Sequence, residues 1–254
     1  MKTDWDYTEL VEAFLERPDY SDASVSSLIA IASENKKITV CDVGTGVAHL
    51  TLTLAESVHK LTAVEPNDEM RRIGKKRTNY FNDVSWVEGS GEKTGLPEKS
   101  FGLVTFESSF NVCNRLSALN EVARTLTNKG GLSRMWNLRN LYNPIQTEID
   151  KIIKYHIKRY SYGTRREEQS AVIDKSELFS RIIYLSSDIV HRQPITKYLK
   201  VWGSHAPLTR QAGSKLNDIL ISIEQFLSEL TQDIIEIPFI TKIWIAQLGL
   251  VVCL

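Results

Sequence analysis

Cysteine is scarce in this chain, and its three residues are far apart. Cys41, Cys113 and Cys253 show no C-x-x-C spacing. This pattern argues against a zinc site and against a disulfide framework, and it is typical of a protein kept in a reducing compartment. We therefore expect no metal and a cytoplasmic location.

An excess of charge is also missing, because 31 Lys and Arg residues balance 31 Asp and Glu residues. The sequence therefore gives no overall electrostatic reason to expect nucleic acid or a membrane as a partner. The most basic stretch runs from Arg71 to Arg77. We interpret its spacing as a solvated helix face, with an RNA-binding face as the alternative.

Long apolar runs are lacking as well. The stretch from Ile240 to Leu254 is too short to span a membrane and contains Lys242 and Gln247. The first residues carry no apolar signal-peptide core, which argues against secretion. Because 254 residues with 42% apolar side chains can bury one full core, we expect one elaborated domain.

The most informative segment that is present is Val40–Ala48, which reads VCDVGTGVA. A β-branched run precedes it and a leucine-rich segment follows, which predicts a strand, a glycine turn and a helix start. Such a turn lets backbone N–H groups approach a ligand closely. The dinucleotide fingerprint does not fit, because His49 stands where a small residue is needed. A tight turn in some other α/β protein is the alternative.

Strands and helices alternate after this turn, which is typical of a parallel sheet covered on both faces. The first half predicts N-terminal helices at 6–17 and from Ser21, strands at Leu61–Glu65, Val84–Val87, Leu103–Phe106 and Leu132–Trp136, helices at 67–77 and 115–126, and a helix C-cap at 128–131. The second half predicts a long helix from Pro144, a strand near Ile182–Val190, helices at 194–205 and 208–230, and a last strand.

The chain is therefore divided into four parts of a single domain, residues 1–254. Residues 1–35 form an N-terminal helical lid, and residues 36–139 form the cofactor-binding core. Residues 140–235 form a helical elaboration that contains the sixth strand and covers the substrate. Residues 236–254 form the last strand and a tail.

Two features beyond the glycine turn suggest a nucleotide-like ligand. Glu65 ends the second strand, 21 residues after Gly44, where a carboxylate can accept both hydroxyls of a ribose. Small residues at Ser90 and Gly91 can let an adenine lie against the backbone, although an ordinary surface turn is the alternative.

Four motifs in this order resemble those of the class I S-adenosylmethionine-dependent methyltransferases, in the branch that acts on small molecules. They are Asp42–Ala48, Val64–Met70, Glu88–Pro97 and Arg124–Gly131. The resemblance implies an α/β, Rossmann-like, doubly wound and mostly parallel sheet of seven strands, with an antiparallel last strand and a helical lid. It implies S-adenosylmethionine as cofactor and S-adenosylhomocysteine as product.

The resemblance also implies which residues bind the cofactor. Asp42, Gly44 and Gly46 would border the methionine part, Glu65 the ribose and Met70 one adenine face. The complete predicted set is Asp42, Gly44, Thr45, Gly46, Glu65, Pro66, Met70, Ser90, Gly91, Glu92, Glu107 and Ser108. Two positions depart from the family pattern, namely Ala48, where the family has glycine, and Asn111-Val112, where related proteins often carry His-Trp.

The acceptor side is predicted from residues of the second half. His205 follows Trp202-Gly203-Ser204 at a predicted helix end and is the candidate catalytic base, with a structural histidine as the alternative. Asn111, Arg165, Arg166 and His205 are the candidate substrate-binding residues. The arginines suit a carboxylate or phosphate, or else they are solvated loop charges.

These observations predict a methyltransferase that acts on an O, N or C nucleophile of a small molecule, such as a secondary metabolite or a sugar-like precursor. The alternatives are an RNA-modifying methyltransferase and a non-catalytic homologue that binds the same cofactor. We expect a monomer or homodimer with no nucleic-acid or membrane partner.

Overall fold

The computed structural model describes residues 11–34, 37–230 and 232–249, with only the backbone at positions 164 and 165. The strands are β1 Thr39–Val43, β2 Lys60–Val64, β3 Val84–Val87, β4 Phe101–Glu107, β5 Leu126–Arg139, β6 Phe179–Pro194 and β7 Ile234–Leu248. The helices are α1 Val11–Leu15, α2 Asp22–Ser33, α3 His49–Ala55, α4 Asp68–Arg77, α5 Arg115–Thr125, α6 Pro144–His156, α7 Ser170–Asp174, α8 Ile195–Gly203, α9 Ala206–Ala212 and α10 Leu216–Ser228. Short 3-10 turns lie at Phe110–Val112, Gly163–Arg166 and Gly213–Lys215.

The seven strands form one sheet in the order β3-β2-β1-β4-β5-β7-β6. The pairs from β3 to β5 are parallel, and β7 lies antiparallel to both β5 and β6. This arrangement confirms the predicted fold class. The strand order reverses direction between β1 and β4, so their carboxyl ends open a crevice at the position where ligands bind in such sheets.

Apolar side chains cover both faces of the sheet. One cluster joins Leu119 and Val122 of α5 to β4 and β5, and a second joins Leu28 of α2 and Leu50 of α3 to β1. A third cluster packs α6, α8, α9 and α10 against the first half of β7. The helical elaboration therefore has a core of its own, beyond the carboxyl end of the sheet.

Side-chain caps explain where several helices begin. The Ser21 hydroxyl accepts from the Ser24 N–H, and the side-chain Oδ1 of Asn67 accepts from the N–H groups of Glu69 and Met70. Asn143 caps α6 in the same way, with Pro144 in the first turn. The predicted helix starts near Ser21, Asn67 and Pro144 are therefore confirmed.

Two of the expected elements are wrong. The helix at 208–230 is broken into α9 and α10, because Gly213 adopts φ +53° and the chain turns there. The segment Asn128–Gly131 is not a helix C-cap but part of β5. β5 forms a bulge between two register pairs with β4, Leu126–Phe101 and Gly131–Leu103. Lys129 lies in this bulge and adopts φ +67°.

Strand β3 has the predicted bounds, whereas β4, β5 and β6 extend beyond their predicted ranges. The expected helix at 6–17 appears as α1 in its described part, and Asp6, Glu9 and Tyr7 lie outside the described residues. No described helix is both long and apolar enough to cross a bilayer.

Candidate active site

The glycine turn joins β1 to α3 at the carboxyl edge of the sheet. Gly44 and Gly46 have φ values of +68° and +58°, which L side chains rarely adopt. A Cβ atom on Gly44 would lie 2.3 Å from the Ser109 Cβ, whereas one on Gly46 would have nothing within 4 Å. Gly44 is therefore required by packing, and Gly46 faces open space.

Ala48 ends the same turn in the left-handed conformation, at φ +76°, as the N-cap of α3. Glycine adopts this conformation without steric cost, which is a physical reason for glycine at the third position of the motif. Ala48 is fully buried. Its methyl group therefore does not line the open space beside Gly46.

Asp42 lies beneath the turn and is fully buried. Its two carboxylate oxygens accept from the Thr105 hydroxyl at 2.7 Å and from the Thr51 hydroxyl at 2.8 Å. Burial, followed by the negative charge of Glu107, raises the pKa of Asp42 to about 7. This carboxylate ties β1 to β4 and α3.

Glu65 follows β2 and connects the glycine turn to the start of α4. Its Oε2 accepts from the Gly46 N–H at 2.8 Å, and its Oε1 accepts from the Asn67 N–H at 2.9 Å. Burial raises the pKa of this carboxyl group. Each oxygen retains a further lone pair, so the carboxylate can accept hydroxyl groups while it keeps both backbone contacts.

The other predicted adenine contacts occupy two neighbouring segments. Met70 is buried in a small cluster with Val11 of α1 and Val47 of the glycine turn. Ser90 closes a turn through paired backbone bonds with Lys93. A Cβ atom on Gly91 would lie 2.6 Å from the Cys113 Sγ.

Neighbouring side chains and backbone hold these segments in place. The Glu92 Oε1 accepts from the Asn114 N–H at 2.7 Å. The Pro66 position lies between Glu65 and the N-cap residue Asn67, directly before α4. The predicted cofactor residues from Gly44 to Glu92 therefore lie near the ends of β1, β2 and β3, whereas Asp42 is buried beneath the glycine turn.

The end of β4 connects the glycine turn to a cavity. The Glu107 Oε2 accepts from the Leu50 N–H in the first turn of α3, at 3.2 Å. The Ser108 hydroxyl and the Tyr20 hydroxyl share a hydrogen bond of 3.2 Å. Burial raises the pKa of Glu107, so its carboxyl group holds a proton more readily than an exposed one.

A partly open cavity lies beyond Glu107 and Ser108, which both line it. Tyr20 and Arg17 border it from the N-terminal segment, and Leu138 and Arg139 border it from the end of β5. The remaining wall comes from the helical elaboration and β7, through Tyr162, Arg166, Val201, His205 and Phe239. The mixture of apolar and polar side chains in its wall suits a small organic molecule.

His205 lies in the wall of this cavity, between α8 and α9. Its Nδ1 is 3.2 Å from the Tyr160 hydroxyl, and its ring packs edge-on against Trp202. The structure thus brings His205 together with Arg166, Glu107 and Ser108.

Asn111, by contrast, lies in the 3-10 turn after β4 and does not line the cavity. Its Oδ1 is buried without a partner among the described residues. The side chain of Arg165 lies outside the described part.

Sequence reasoning missed Arg139 and Phe239, which face each other as register partners on β5 and β7. The sequence feature that could have identified Arg139 is its position shortly after the predicted strand Leu132–Trp136. Within the described residues, no three or more His, Cys, Asp or Glu side chains are grouped as metal ligands would be.

The fold and this site together define an α/β protein with a glycine turn at the carboxyl edge of a mostly parallel sheet. Residues 41–133 match the family model for a methyltransferase domain. In this part the chain is similar to methyltransferases, the class of enzyme that its four motifs resemble.

A demethylmenaquinone methyltransferase of Tropheryma whipplei is 30% identical over 129 residues, which are 50% of this chain and 52% of that protein. The chain thus matches about half the length of its curated relatives. Among solved structures, a chain described as a type II methyltransferase from Anaeromyxobacter dehalogenans has a TM-score of 0.64 and 19% identity, and covers 91% of this chain and 97% of its own length.

A phosphoethanolamine N-methyltransferase 2 of Haemonchus contortus, solved with phosphomonomethylethanolamine and S-adenosylhomocysteine, has a TM-score of 0.55 and 11% identity. The match covers 95% of this chain and 57% of that protein. At these identities, the two structural comparisons support the fold alone.

Proposed function

We propose that this protein transfers a methyl group from S-adenosylmethionine to an O, N or C nucleophile of a small molecule that binds in the cavity. The observation that carries the proposal is the position of Glu107. This residue lines the cavity while its carboxylate binds the first turn of α3, directly after the glycine turn. The cofactor and acceptor sites therefore adjoin at the end of β4.

The residues at the edge of the sheet fit this cofactor. The space beside Gly46 is open, and the Glu65 carboxylate at its border has lone pairs that can accept the two ribose hydroxyls. Thr45, Pro66 and Met70, with Ser90, Gly91 and Glu92, border the same edge. Bound there, the sulfonium supplies an activated methyl group, and the protein has to align an acceptor and exclude water.

The acceptor is enclosed by the helical elaboration in this proposal. His205 is the candidate base for a hydroxyl acceptor, and the Tyr160 hydroxyl fixes its ring through Nδ1. An amine acceptor needs no base once it is neutral. The division into lid, core and elaboration and the cytoplasmic location stay predictions.

The premise of cofactor binding is tested by calorimetry with S-adenosylhomocysteine. We expect Glu65→Ala to weaken binding about 100-fold, because two charge-assisted hydrogen bonds are lost. Glu69→Ala is the matched control, since this exposed carboxylate on α4 pairs only with the neighbouring Arg72. Thermal unfolding of each variant shows that it is folded.

Absence of binding by the wild-type protein at millimolar ligand would refute the proposal. Equal affinities of Glu65→Ala and the wild-type protein would refute the ribose assignment. Release of S-adenosylhomocysteine with a panel of small acceptors then measures turnover. Binding to RNA that falls steeply with added salt would favour the RNA-modifying alternative.

A further inference from the structure

Two arginines occupy the end of the cavity that is formed by β5 and the loop after α6. Arg139 is the last residue of β5, and its guanidinium carbon lies 4.2 Å from the centroid of the Trp202 ring. The Arg166 guanidinium donates to the Arg139 carbonyl oxygen at 2.7 Å. It also lies 5.0 Å from the centroid of the Tyr162 ring. Aromatic faces thus hold both side chains.

Neither guanidinium forms an ion pair with a carboxylate among the described residues. The Arg139 Nε is buried and has no hydrogen-bond partner there. Asp150, whose charge acts on Arg166, is already bound to Lys154 at 2.6 Å and accepts from the Tyr162 hydroxyl. Desolvation and, as a smaller contribution, the positive charge of Arg139 lower the pKa of Arg166. Two cations that form no ion pair with a carboxylate in the described part of the chain, at one end of a cavity, are suited to an anionic ligand.

The opposite end of the cavity lies at Glu107. Met135 is the register partner of Glu107, and Arg139 follows four residues further along β5. At 3.3 Å per residue, this places the Arg139 backbone about 13 Å beyond the end of β4. The wall between the two ends includes the apolar or aromatic side chains of Leu138, Val201 and Phe239. It also includes Asn137, whose amide N–H group already donates to backbone carbonyl oxygens.

We infer that the acceptor is an elongated molecule with an apolar middle and an oxyacid anion, a carboxylate or a phosphate, bound between Arg139 and Arg166. This inference rests on the proposed function, because it assigns the nucleophile of that molecule to the Glu107 end. Arg139 is then a specificity-determining residue. It selects an acceptor by the charge at the end opposite to the nucleophile, and planar guanidinium groups give such an anion two parallel hydrogen bonds.

The test measures the affinity of three probes by calorimetry, with and without saturating S-adenosylhomocysteine. The probes are 4-phenylbutyrate, 2-phenylethyl phosphate and the neutral 4-phenylbutanamide. We expect the wild-type protein to bind at least one anionic probe about 10- to 100-fold more tightly than the amide, because charge-assisted bonds are gained. The tighter of the two anions identifies the oxyacid.

Arg139→Met and Arg166→Met should each abolish this preference. Arg192→Met is the matched control and should retain it, because Arg192 pairs with Glu236 on the exposed surface of β6 and β7. If Arg139→Met does not fold, Arg139→Lys replaces it in the test. This variant retains the charge but not the planar guanidinium group, so it should keep only part of the preference.

Equal affinities of the wild-type protein for the anions and the amide would overturn the inference. Retention of the preference by folded Arg139→Met and Arg166→Met proteins would do so as well. A different result would refute the proposed function, namely that the wild-type protein does not bind S-adenosylhomocysteine. The probes are also titrated without that ligand, so the two failures are distinguishable.

Discussion

The glycine turn and the cavity beyond Glu107 differ in how their buried polar groups are satisfied. At the turn, both carboxylate oxygens of Asp42 and both of Glu65 accept hydrogen bonds from the protein. At the acceptor end of the cavity, the Arg139 Nε and the Nε1 of the neighbouring Trp202 are buried without partners among the described residues. The buried carboxylate oxygens of the turn thus all accept hydrogen bonds, whereas the cavity contains buried N–H donors that lack an acceptor among the described residues.

This difference has a physical meaning. A buried polar group without a partner costs about 1–3 kcal/mol, so such groups are uncommon in stable interiors and are often functional. The glycine turn is stabilised by contacts within the protein. In the proposed function, the cavity gains its missing contacts from the bound acceptor, and its walls then determine the specificity.

The largest expected effect comes from the two glycines of the turn. Gly44→Ala should lower the free energy of unfolding by about 3 kcal/mol, because the new Cβ clashes with Ser109 and the backbone is left-handed. Gly46→Ala should cost about 1 kcal/mol, since only the backbone is strained, but it should abolish cofactor binding by filling the open space. Urea unfolding and calorimetry with S-adenosylhomocysteine measure the two effects.

Gly203→Ala is the control for both glycines, because its φ is not in the left-handed region and a Cβ there would meet only Leu220, at 3.8 Å. It should fold and bind the cofactor normally. Normal cofactor binding by Gly46→Ala would show that the space beside Gly46 is not the ligand site.

The next effect concerns Asp42 and depends on pH. Thr105→Val removes one donor from this carboxylate and should lower the free energy of unfolding by about 2 kcal/mol at pH 8, where Asp42 is ionised. The folded pKa of Asp42, about 7, lies above its ordinary value of 3.8. The stability that Asp42 contributes is therefore full below pH ~4 and declines as the pH rises to about 7. The penalty of Thr105→Val should accordingly be smaller at pH 5 than at pH 8.

Thr62→Val is the control, since this hydroxyl bonds to Ser85 between neighbouring strands and not to a carboxylate. Its small effect should not depend on pH.

Arg139→Met completes the comparison on the cavity side and should change the stability of the ligand-free protein by no more than about 1 kcal/mol. A larger loss would mean that Arg139 is as well satisfied as Asp42, and the contrast between the two regions would disappear.

The smallest effect is expected at Ala48. Ala48→Gly should change the affinity for S-adenosylhomocysteine by less than about threefold, because the methyl group is buried away from the open space. The free energy of unfolding of this variant should stay within about 1 kcal/mol of the wild-type value. Glycine removes the steric strain of the left-handed backbone, and this gain offsets the loss of the buried methyl group. A tenfold gain in affinity in calorimetry would show that Ala48 narrows the cofactor site after all.

The sequence predicted the cofactor half well because its signals are local. The succession of strands and helices along the chain, the glycine turn and the helix starts near Ser21 and Asn67 follow from neighbouring residues. The errors occurred where local signals compete. Gly130 and Gly131 look like a helix end but lie in a bulged strand, and the helical period around Gly213 conceals a break.

The sequence by itself determined that a strand, a glycine turn and a helix begin the core, because positive φ values at Gly44 and Gly46 need residues without a side chain. Only the tertiary structure decided that Arg139, Arg166 and His205 share a cavity with Glu107. These side chains belong to segments that are far apart in the chain. They meet because β7 inserts between β5 and β6 and because the helical elaboration packs over the sheet edge, and no local pattern records such contacts.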